Sequence, residues 1–233
     1  MQLFYAPDID VSPELPEEEA LQCLRVLRLG EGDRVRITDG KGFFYEAVIL
    51  SVSGKRCRVS VEEAIPWEKT WRGHLHIAVA PTKNMDRMEW FVEKAVEIGV
   101  DELTFLDCRY SERRVVKLER VEKIMVSAMK QSLKACLPRL NGMEPFDTFV
   151  RKGQQGQRFI AHCHEGRKDP LKSVLHAGED ATILVGPEGD FSAEEVAAAL
   201  SLGFSPVSLG ASRLRTETAA LVACHTFSLL GGL

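Results

Sequence analysis

The chain has 233 residues, of which 45% are hydrophobic and 27% are charged, and its formal net charge at pH 7 is −4. This is the composition of a globular protein with one large domain or two smaller ones, and no apolar run approaches the ~20 residues that cross a bilayer. The acidic balance does not point to a nucleic-acid partner. It does not exclude one either, because a local basic stripe is sufficient for binding.

The N-terminal stretch MQLFYAPDID lacks the basic start and long apolar core of a signal peptide, so we expect a cytoplasmic protein. Six cysteines without a Cys-x-x-Cys pair predict reduced, mostly buried thiols rather than a disulfide framework. The motifs HLH (74–76) and HCH (162–164) resemble metal ligands. Neither has a clear further ligand cluster, which favours histidines satisfied within strands, and we expect no metal.

The region 1–70 is predicted to be rich in β-structure. Apolar and polar residues alternate in DRVRITDG (33–40), FFYEAVIL (43–50) and RCRVSVEEA (56–64). Asp-Gly ends the first segment and Ser-Gly precedes the third, which indicates hairpins. A short helix before them is predicted to end at Gly30. We therefore expect a small β-barrel with one helix, followed by the linker IPWEKTWRG (65–73).

Strands and helices alternate from residue 74 onward. Apolar runs typical of strands occupy residues 74–81, 102–108, 158–163, 181–186 and 205–210. Helical periodicity extends over residues 84–100, 121–133, 192–204 and 215–230. This alternation predicts an α/β domain over residues 71–233, with a mostly parallel sheet covered by helices on both faces.

The first unusual loop, Gly186-Pro187-Glu188-Gly189, follows a predicted strand. Ser192 and Glu195 have the spacing of a capping box, which explains the next helix but not this loop. A tight turn with glycines at positive φ is one interpretation, and a phosphate cradle is another. The proline removes an N–H donor and Glu188 and Asp190 add negative charge, which disfavours phosphate. A ligand that carries donors or a positive centre fits better.

The second unusual loop is LGASRLRTET (209–218). Its Arg213 and Arg215 lie at the start of the final predicted helix, where cations oppose the helix dipole. A local salt bridge from Arg213 to Glu217 is one explanation. The other is that the arginines meet an anion, such as an RNA phosphate, or negative charge that develops on a substrate. Spacing alone does not decide between the two.

The chain resembles the bacterial 16S ribosomal RNA (uracil-N3) methyltransferases, a family of the SPOUT superfamily. The stretches ILVGPEGDFSAEE (183–195) and SLGASRLRTETAA (208–220) carry the resemblance. Weaker similarity covers nearly the whole chain, in residues 25–42, 80–100 and 131–140. The chain departs from the family pattern at Gln22, Lys134, Asp190 and Ala211, where the family often has histidine, arginine, glycine and proline.

The resemblance implies a PUA-like β-barrel that helps to hold RNA, followed by a SPOUT-type α/β domain with a deep trefoil knot. Fold rules alone would favour an unknotted sheet, because knots are almost absent from proteins. It further implies that the knot binds S-adenosylmethionine, that the chain forms a homodimer, and that its partner is 16S ribosomal RNA within the small ribosomal subunit.

Residue by residue, the resemblance implies a methyl-donor site and a catalytic group. The residues expected against the donor are Leu184, Val185, Gly186, Pro187, Glu188, Gly189, Leu209, Gly210, Arg213 and Leu214. Arg215 is expected to stabilise the anion formed when uracil N3 loses its proton, and Arg213 to contact a phosphate or to pair with Glu217. Glu217 and water are the alternatives for the general base, and Thr216 and Thr218 are candidates for hydrogen bonds to the base.

Three rival functions remain open from the sequence. The nearest is a related knotted enzyme that methylates a ribose 2′-hydroxyl or another base atom. A non-catalytic ribosomal RNA-binding assembly factor is a second, against which the intact glycine loops argue. A nucleotide-dependent enzyme is the third, and Pro187 and Glu188 disfavour it.

Overall fold

The computed structural model describes residues 2–232 and divides into two compact units. The first comprises the chain through Lys69 together with Val126–Leu137, and the second comprises Thr70–Met125 and the chain from Pro138 onward. Val126–Leu137 clusters with the first unit although it lies within the region that the sequence assigns to the second domain. Within residues 2–232, every helix falls short of the length and apolar character that a membrane span requires.

The first unit contains a four-stranded sheet. Its strands are β1 (Leu3–Tyr5), β2 (Arg34–Thr38), β3 (Phe43–Ser53) and β4 (Arg56–Pro66), in that spatial order. β1 pairs in parallel with β2, and the same N-terminal segment then bridges from Glu14 to Arg58 on β4. Because this segment contacts both edges of the sheet, it closes the sheet into a small barrel.

One helix precedes β2, as the sequence predicted, but it is shorter. Helix α1 (Glu17–Leu21) continues as a π-helical segment, Gln22–Val26, and does not reach Gly30. The side-chain carbonyl of Gln22 accepts a hydrogen bond of 3.2 Å from Lys130 Nζ, so this departure from the family pattern has a partner inside the same unit.

The second unit is built on a sheet of seven parallel strands. They are β5 (Leu75–Val79), β6 (Glu102–Asp107), β7 (Arg139–Pro145), β8 (Gln157–Ala161), β9 (Asp169–Pro170), β10 (Ala181–Val185) and β11 (Ser205–Ser208). Their spatial order is β7-β6-β5-β10-β8-β11-β9, so β10 lies between β5 and β8, and β11 between β8 and β9. Every residue of β5 and β10 is buried, as expected for central strands covered on both faces.

The remaining helices are α2 (Met85–Ile98), α3 (Leu118–Gln131), α4 (Phe146–Arg151), α5 (Leu171–Val174), α6 (Ala193–Ser201) and α7 (Thr216–Gly231). Helices α4 and α6 cover one face of the sheet, where Phe146, Phe149 and Val196 join a buried cluster with Ile160 and Leu184. On the other face, α7 packs on β5, β10 and α2. The predicted parallel sheet with helices on both faces is confirmed.

Besides β1 in the first unit, four short elements of the second unit were not predicted: β7, α4, β9 and α5. The sequence of β7, RLNGMEP, contains Asn-Gly and ends in proline, which are turn signals rather than strand signals. Helix α4 has six residues and α5 has four, so neither shows a helical period. Packing on the sheet, and not a local sequence pattern, decides where these four elements form.

Candidate functional site

The two loops singled out in the sequence lie at one edge of the second unit's sheet. All seven strands are parallel, so the loops after β5, β6, β8, β10 and β11 share the carboxyl edge. Ligands of open parallel sheets bind at this edge.

The loop after β10 needs its glycines for close approach and not for their backbone angles. The glycines of this loop are absent from the set with positive φ, so the interpretation as a positive-φ turn, one of those left open, is wrong. A Cβ atom on Gly186 would lie 3.1 Å from the backbone nitrogen of Phe191, and one on Gly189 would lie 3.0 Å from Cβ of Tyr110. Both positions are tighter than ordinary van der Waals contact, so side chains larger than hydrogen crowd this loop.

The left-handed residue of the loop is Asp190, at φ 65°. Aspartate tolerates this conformation better than most residues. Its Oδ2 accepts a hydrogen bond of 2.7 Å from the backbone N–H of Cys163, at the end of β8. At Asp190, where the family often has glycine, the backbone is left-handed and the carboxylate adds a link between two loops of the site.

A second carboxylate links the same loop to the loop after β5. Glu188 is exposed, and its Oε1 accepts a hydrogen bond of 2.9 Å from the backbone N–H of Lys83. Leu184, Val185, Gly186 and Pro187 are buried. The predicted acidic loop thus uses both of its acids to bind backbone N–H groups of neighbouring loops.

Thr216 joins the two candidate loops. Its hydroxyl donates a buried hydrogen bond of 3.0 Å to the carbonyl oxygen of Gly186. Thr216 is the first residue of α7, and Arg215 is the N-cap. The loop after β11 is therefore held against the loop after β10 at the point where α7 begins.

The predicted catalytic residues differ in exposure. Arg213 and Arg215 are exposed, and neither guanidinium has a hydrogen-bond or ion-pair partner in the part of the chain that the structure describes. Glu217 is only 6% exposed, and its Oε2 is buried without a hydrogen-bond partner among residues 2–232. The salt bridge from Arg213 to Glu217, one of the two interpretations, is therefore absent from the described residues. The arginines are free to meet an anion.

A cleft of about 520 Å³ lies at the loop after β11. Four of the residues predicted to hold a donor line it: Leu209, Gly210, Arg213 and Leu214. The predicted residues from Leu184 to Gly189 do not line it and are connected to it through the bond from Thr216 to Gly186. Sequence reasoning missed the residues that the loop after β8 contributes to the lining: Ala161, His162, Cys163 and Lys168.

His162 lines the cleft with a buried ring that has unsatisfied hydrogen-bonding capacity. Both of its ring nitrogens are buried and lack a partner within the described chain, so the interpretation as a satisfied strand histidine is wrong for this residue. It holds for His76, whose Nε2 lies 2.7 Å from Thr104 Oγ1. Burial, with the nearby Lys168 ammonium, lowers the pKa of His162 and keeps the ring neutral at pH 7. Its place directly after a strand was the available signal.

Within residues 2–232 no disulfide joins the cysteines, and four of the six are buried, which confirms the predicted burial of most thiols. Within residues 2–232, no group of three or more histidine, cysteine, aspartate or glutamate side chains is arranged to hold a metal ion. The cleft at the carboxyl edge combines apolar walls with the unpaired Arg213 and the unpartnered imidazole of His162.

Two protein-family models match the chain. Residues 69–228 match an RNA methyltransferase domain, and residues 18–62 match an RNA methyltransferase PUA domain. The chain belongs to the RNA methyltransferase family. The first match contains the whole carboxyl edge described above, and the second contains most of the barrel.

Solved structures and curated relatives agree with this assignment. A probable rRNA-methyltransferase from Porphyromonas gingivalis is 51% identical, with a TM-score of 0.96 over 99% of this chain and 98% of that one. Ribosomal RNA small subunit methyltransferase E from Neisseria gonorrhoeae, solved bound to S-adenosyl methionine, is 26% identical with a TM-score of 0.88, over 100% and 98% of the two chains. The enzyme of the same name from Buchnera aphidicola is 25% identical over 240 residues, 99% of this chain and 94% of that protein.

These similarities confirm the family and the fold class predicted from the resemblance. The chain is an α/β protein of the SPOUT type, whose parallel sheet follows a small PUA-like barrel. The trefoil knot stays a prediction from the resemblance.

Proposed function

We propose that this RNA methyltransferase transfers a methyl group from S-adenosylmethionine to N3 of a uridine in 16S ribosomal RNA. The observation that carries the proposal is the bond from Thr216 to Gly186, because it joins the two most family-like loops beside a cleft. The names of the relatives support ribosomal RNA as the substrate class, and one solved relative binds the proposed donor.

We propose a division of labour between a PUA-like domain at residues 1–70, which helps to hold RNA, and a catalytic domain at residues 71–233. The proposed place of action is the cytoplasm, with the small ribosomal subunit as partner.

A homodimer is proposed as well. Trp90 on α2 and Leu229 on α7 are apolar side chains that are 45% and 60% exposed, and a second copy would bury them. Light scattering of the purified chain tests this.

The cleft suits S-adenosylmethionine by size and by lining. Its volume lies within the range of small-molecule sites, roughly 300–1,000 Å³. Val207, Leu209 and Leu214 offer apolar walls to an adenine ring, while His162 and Lys168 offer polar groups to the ribose and the amino-acid part. The neutral imidazole of His162 has one hydrogen-bond donor and one acceptor without partners among residues 2–232. A pair of ribose hydroxyls would supply both partners.

The bound donor supplies an electrophilic methyl group on a sulfonium, and the chain must make uracil N3 nucleophilic. Loss of the N3 proton leaves a negative charge shared with the ring oxygens, and we propose that the unpaired guanidinium of Arg215 stabilises this charge. Glu217 or a water accepts the proton, and Arg213 contacts a phosphate. N3 takes part in base pairing, so the target must be unpaired or flipped out.

The test incubates the enzyme and labelled S-adenosylmethionine with small ribosomal subunits, and separately with naked 16S RNA, both lacking the modification. Digestion of the RNA and chromatography of the nucleosides identify the methylated atom, and 3-methyluridine is expected. A labelled 2′-O-methyl nucleoside would establish the rival knotted enzyme, and RNA binding without any transfer would establish the assembly factor.

A variant separates the catalytic role from binding. Arg215→Ala should retain S-adenosylmethionine binding in calorimetry and lose most methyl transfer. Arg139→Ala, which removes an exposed arginine at the start of β7, is the matched control and should transfer normally. Turnover by Arg215→Ala close to that of the unmodified chain would remove Arg215 from the mechanism.

A further inference from the structure

A second, smaller cleft lies at the same carboxyl edge, outside the proposed donor site. It has a volume of about 240 Å³ and is lined by Lys83, Glu112, Arg113, Arg114 and Val115. The last four belong to the segment CRYSERRV (108–115), which follows β6 and which we call the basic loop. None of these residues has a role in the mechanism proposed above.

The basic loop is held by hydrogen bonds at both ends. At its start, the N–H of Arg109 donates to Glu195 Oε1 at 2.9 Å, and the N–H of Cys108 donates to Ser111 Oγ at 3.0 Å. Glu195 uses its other oxygen in the capping box of α6. Near the loop's end, Arg113 Nη2 donates to the carbonyl oxygen of Lys83 at 2.7 Å. The loop is therefore a built surface with a defined position.

The same contacts place the basic loop beside the glycine loop. Lys83 accepts from Arg113 through its carbonyl oxygen and donates through its N–H to Glu188. A Cβ atom on Gly189 would lie 3.0 Å from Cβ of Tyr110, so the two loops touch directly. Half of the Tyr110 surface, 50%, remains exposed. An aromatic ring thus stands at the rim of the loop that the proposed donor site uses.

The charges of the cleft favour an anion. Three of its five lining residues are cations and one is a carboxylate. Glu112 pairs with Lys83 at 3.0 Å, and Arg114 pairs with Asp107 outside the cleft. The guanidinium of Arg113 has only the carbonyl of Lys83 as a hydrogen-bond partner in the described structure. A phosphate group would complete this set of donors.

We propose that the basic loop binds single-stranded RNA next to the target nucleotide, with Tyr110 stacked on an unpaired base and the small cleft holding a phosphate. This inference rests on the proposed function and adds the surface that holds the substrate. A base that is methylated at N3 leaves its stack, which exposes its neighbours to an aromatic ring. Aromatic rings combined with cations are the groups that hold unpaired nucleotides without reading their sequence. An acidic protein partner would pair with the cations, but it would offer no planar base on which the ring of Tyr110 could stack.

The experiment measures RNA binding in the absence of S-adenosylmethionine, so that it does not depend on methyl transfer. Full-length chain is titrated with transcribed 16S RNA and with purified small subunits over a range of salt concentrations. The variants are Tyr110→Leu, Tyr110→Phe, Lys83→Gln and Arg109→Gln. Arg139→Gln removes one exposed charge at the start of β7, the opposite end of the strands, and is the matched control.

Tyr110→Leu should weaken RNA binding about tenfold, since stacking on one base is lost, and Tyr110→Phe should bind like the unmodified chain because it keeps the ring. Lys83→Gln and Arg109→Gln should each reduce the slope of log affinity against log salt by about 0.7, while Arg139→Gln should not. Calorimetry should give the same S-adenosylmethionine affinity for all variants.

Unchanged RNA affinity and salt slope in all three variants, Tyr110→Leu, Lys83→Gln and Arg109→Gln, would overturn the proposal. Equal losses of RNA affinity and salt slope in Arg139→Gln would overturn it too, because the effect would then come from the net charge of the protein. If the proposed function is wrong and this inference holds, the result is different. The variants then lose RNA affinity, while the unmodified chain transfers no methyl group or methylates another atom.

Discussion

The hydrogen bond from Thr216 to Gly186 offers the sharpest test of how the site is held. Valine has the shape of threonine, so Thr216→Val leaves no cavity and removes only the hydroxyl. The carbonyl oxygen of Gly186 then stays buried without that donor, which costs about 1–3 kcal/mol. We expect the free energy of unfolding to fall by this amount. The two loops also lose their link, so the Kd for S-adenosylmethionine should rise about tenfold, or about 1.4 kcal/mol.

Urea unfolding followed by circular dichroism measures the first effect, and isothermal calorimetry with S-adenosylmethionine measures the second. Thr226→Val is the matched control in the same helix, since the Thr226 hydroxyl only supplements a helical carbonyl, that of Val222. Thr216→Ser keeps the hydroxyl and should recover most of the donor affinity. If Thr216→Val unfolds and binds the donor like the unmodified chain, the bond does not hold the site together and the reasoning is refuted.

Three further predictions concern neighbouring contacts and the core. Gly186→Ala places a Cβ 3.1 Å from the backbone nitrogen of Phe191 and should lower the free energy of unfolding in urea by about 1 kcal/mol. Asp190→Ala should lower it by about 0.5–1.5 kcal/mol, since the exposed hydrogen bond from the Cys163 N–H is lost, whereas Asp190→Asn should stay near the original value. Burial lowers the pKa of His76 to about 4 from the ordinary value of 6.5. The contribution of the neutral ring to the free energy of unfolding is therefore complete above about pH 6.5 and falls by about 3 kcal/mol as the pH drops to 4. His76→Gln should lack this part of the pH dependence.

Each of these has a contrary result. A more stable Gly186→Ala would mean that the loop has room for a methyl group. Equal losses in Asp190→Ala and Asp190→Asn would mean that charge, and not the acceptor, matters at this position. For His76, parallel curves of unfolding free energy against pH for the original chain and His76→Gln would show that another group dominates the acid loss.

The sequence by itself determined the features that depend on near neighbours. The capping box of Ser192 and Glu195 and the apolar face of α2 were readable because helical caps and periods involve residues three or four positions apart. Alternating strands and helices determined the parallel sheet and therefore the edge at which a site forms. The two loops after β10 and β11 were found in the same way, as strand ends with unusual residues.

Only the tertiary structure decided how those loops are used, because the deciding partners are far apart in the chain. Thr216 and Gly186 are separated by 30 residues, Asp190 and Cys163 by 27, and Arg109 and Glu195 by 86. Contacts between residues so far apart in the chain leave no periodic pattern in the local sequence. For that reason the sequence left a positive-φ turn open as one interpretation of the glycines, whereas close approach is what requires them. His162 was taken for a satisfied strand residue, whereas its ring nitrogens are buried without a partner among residues 2–232.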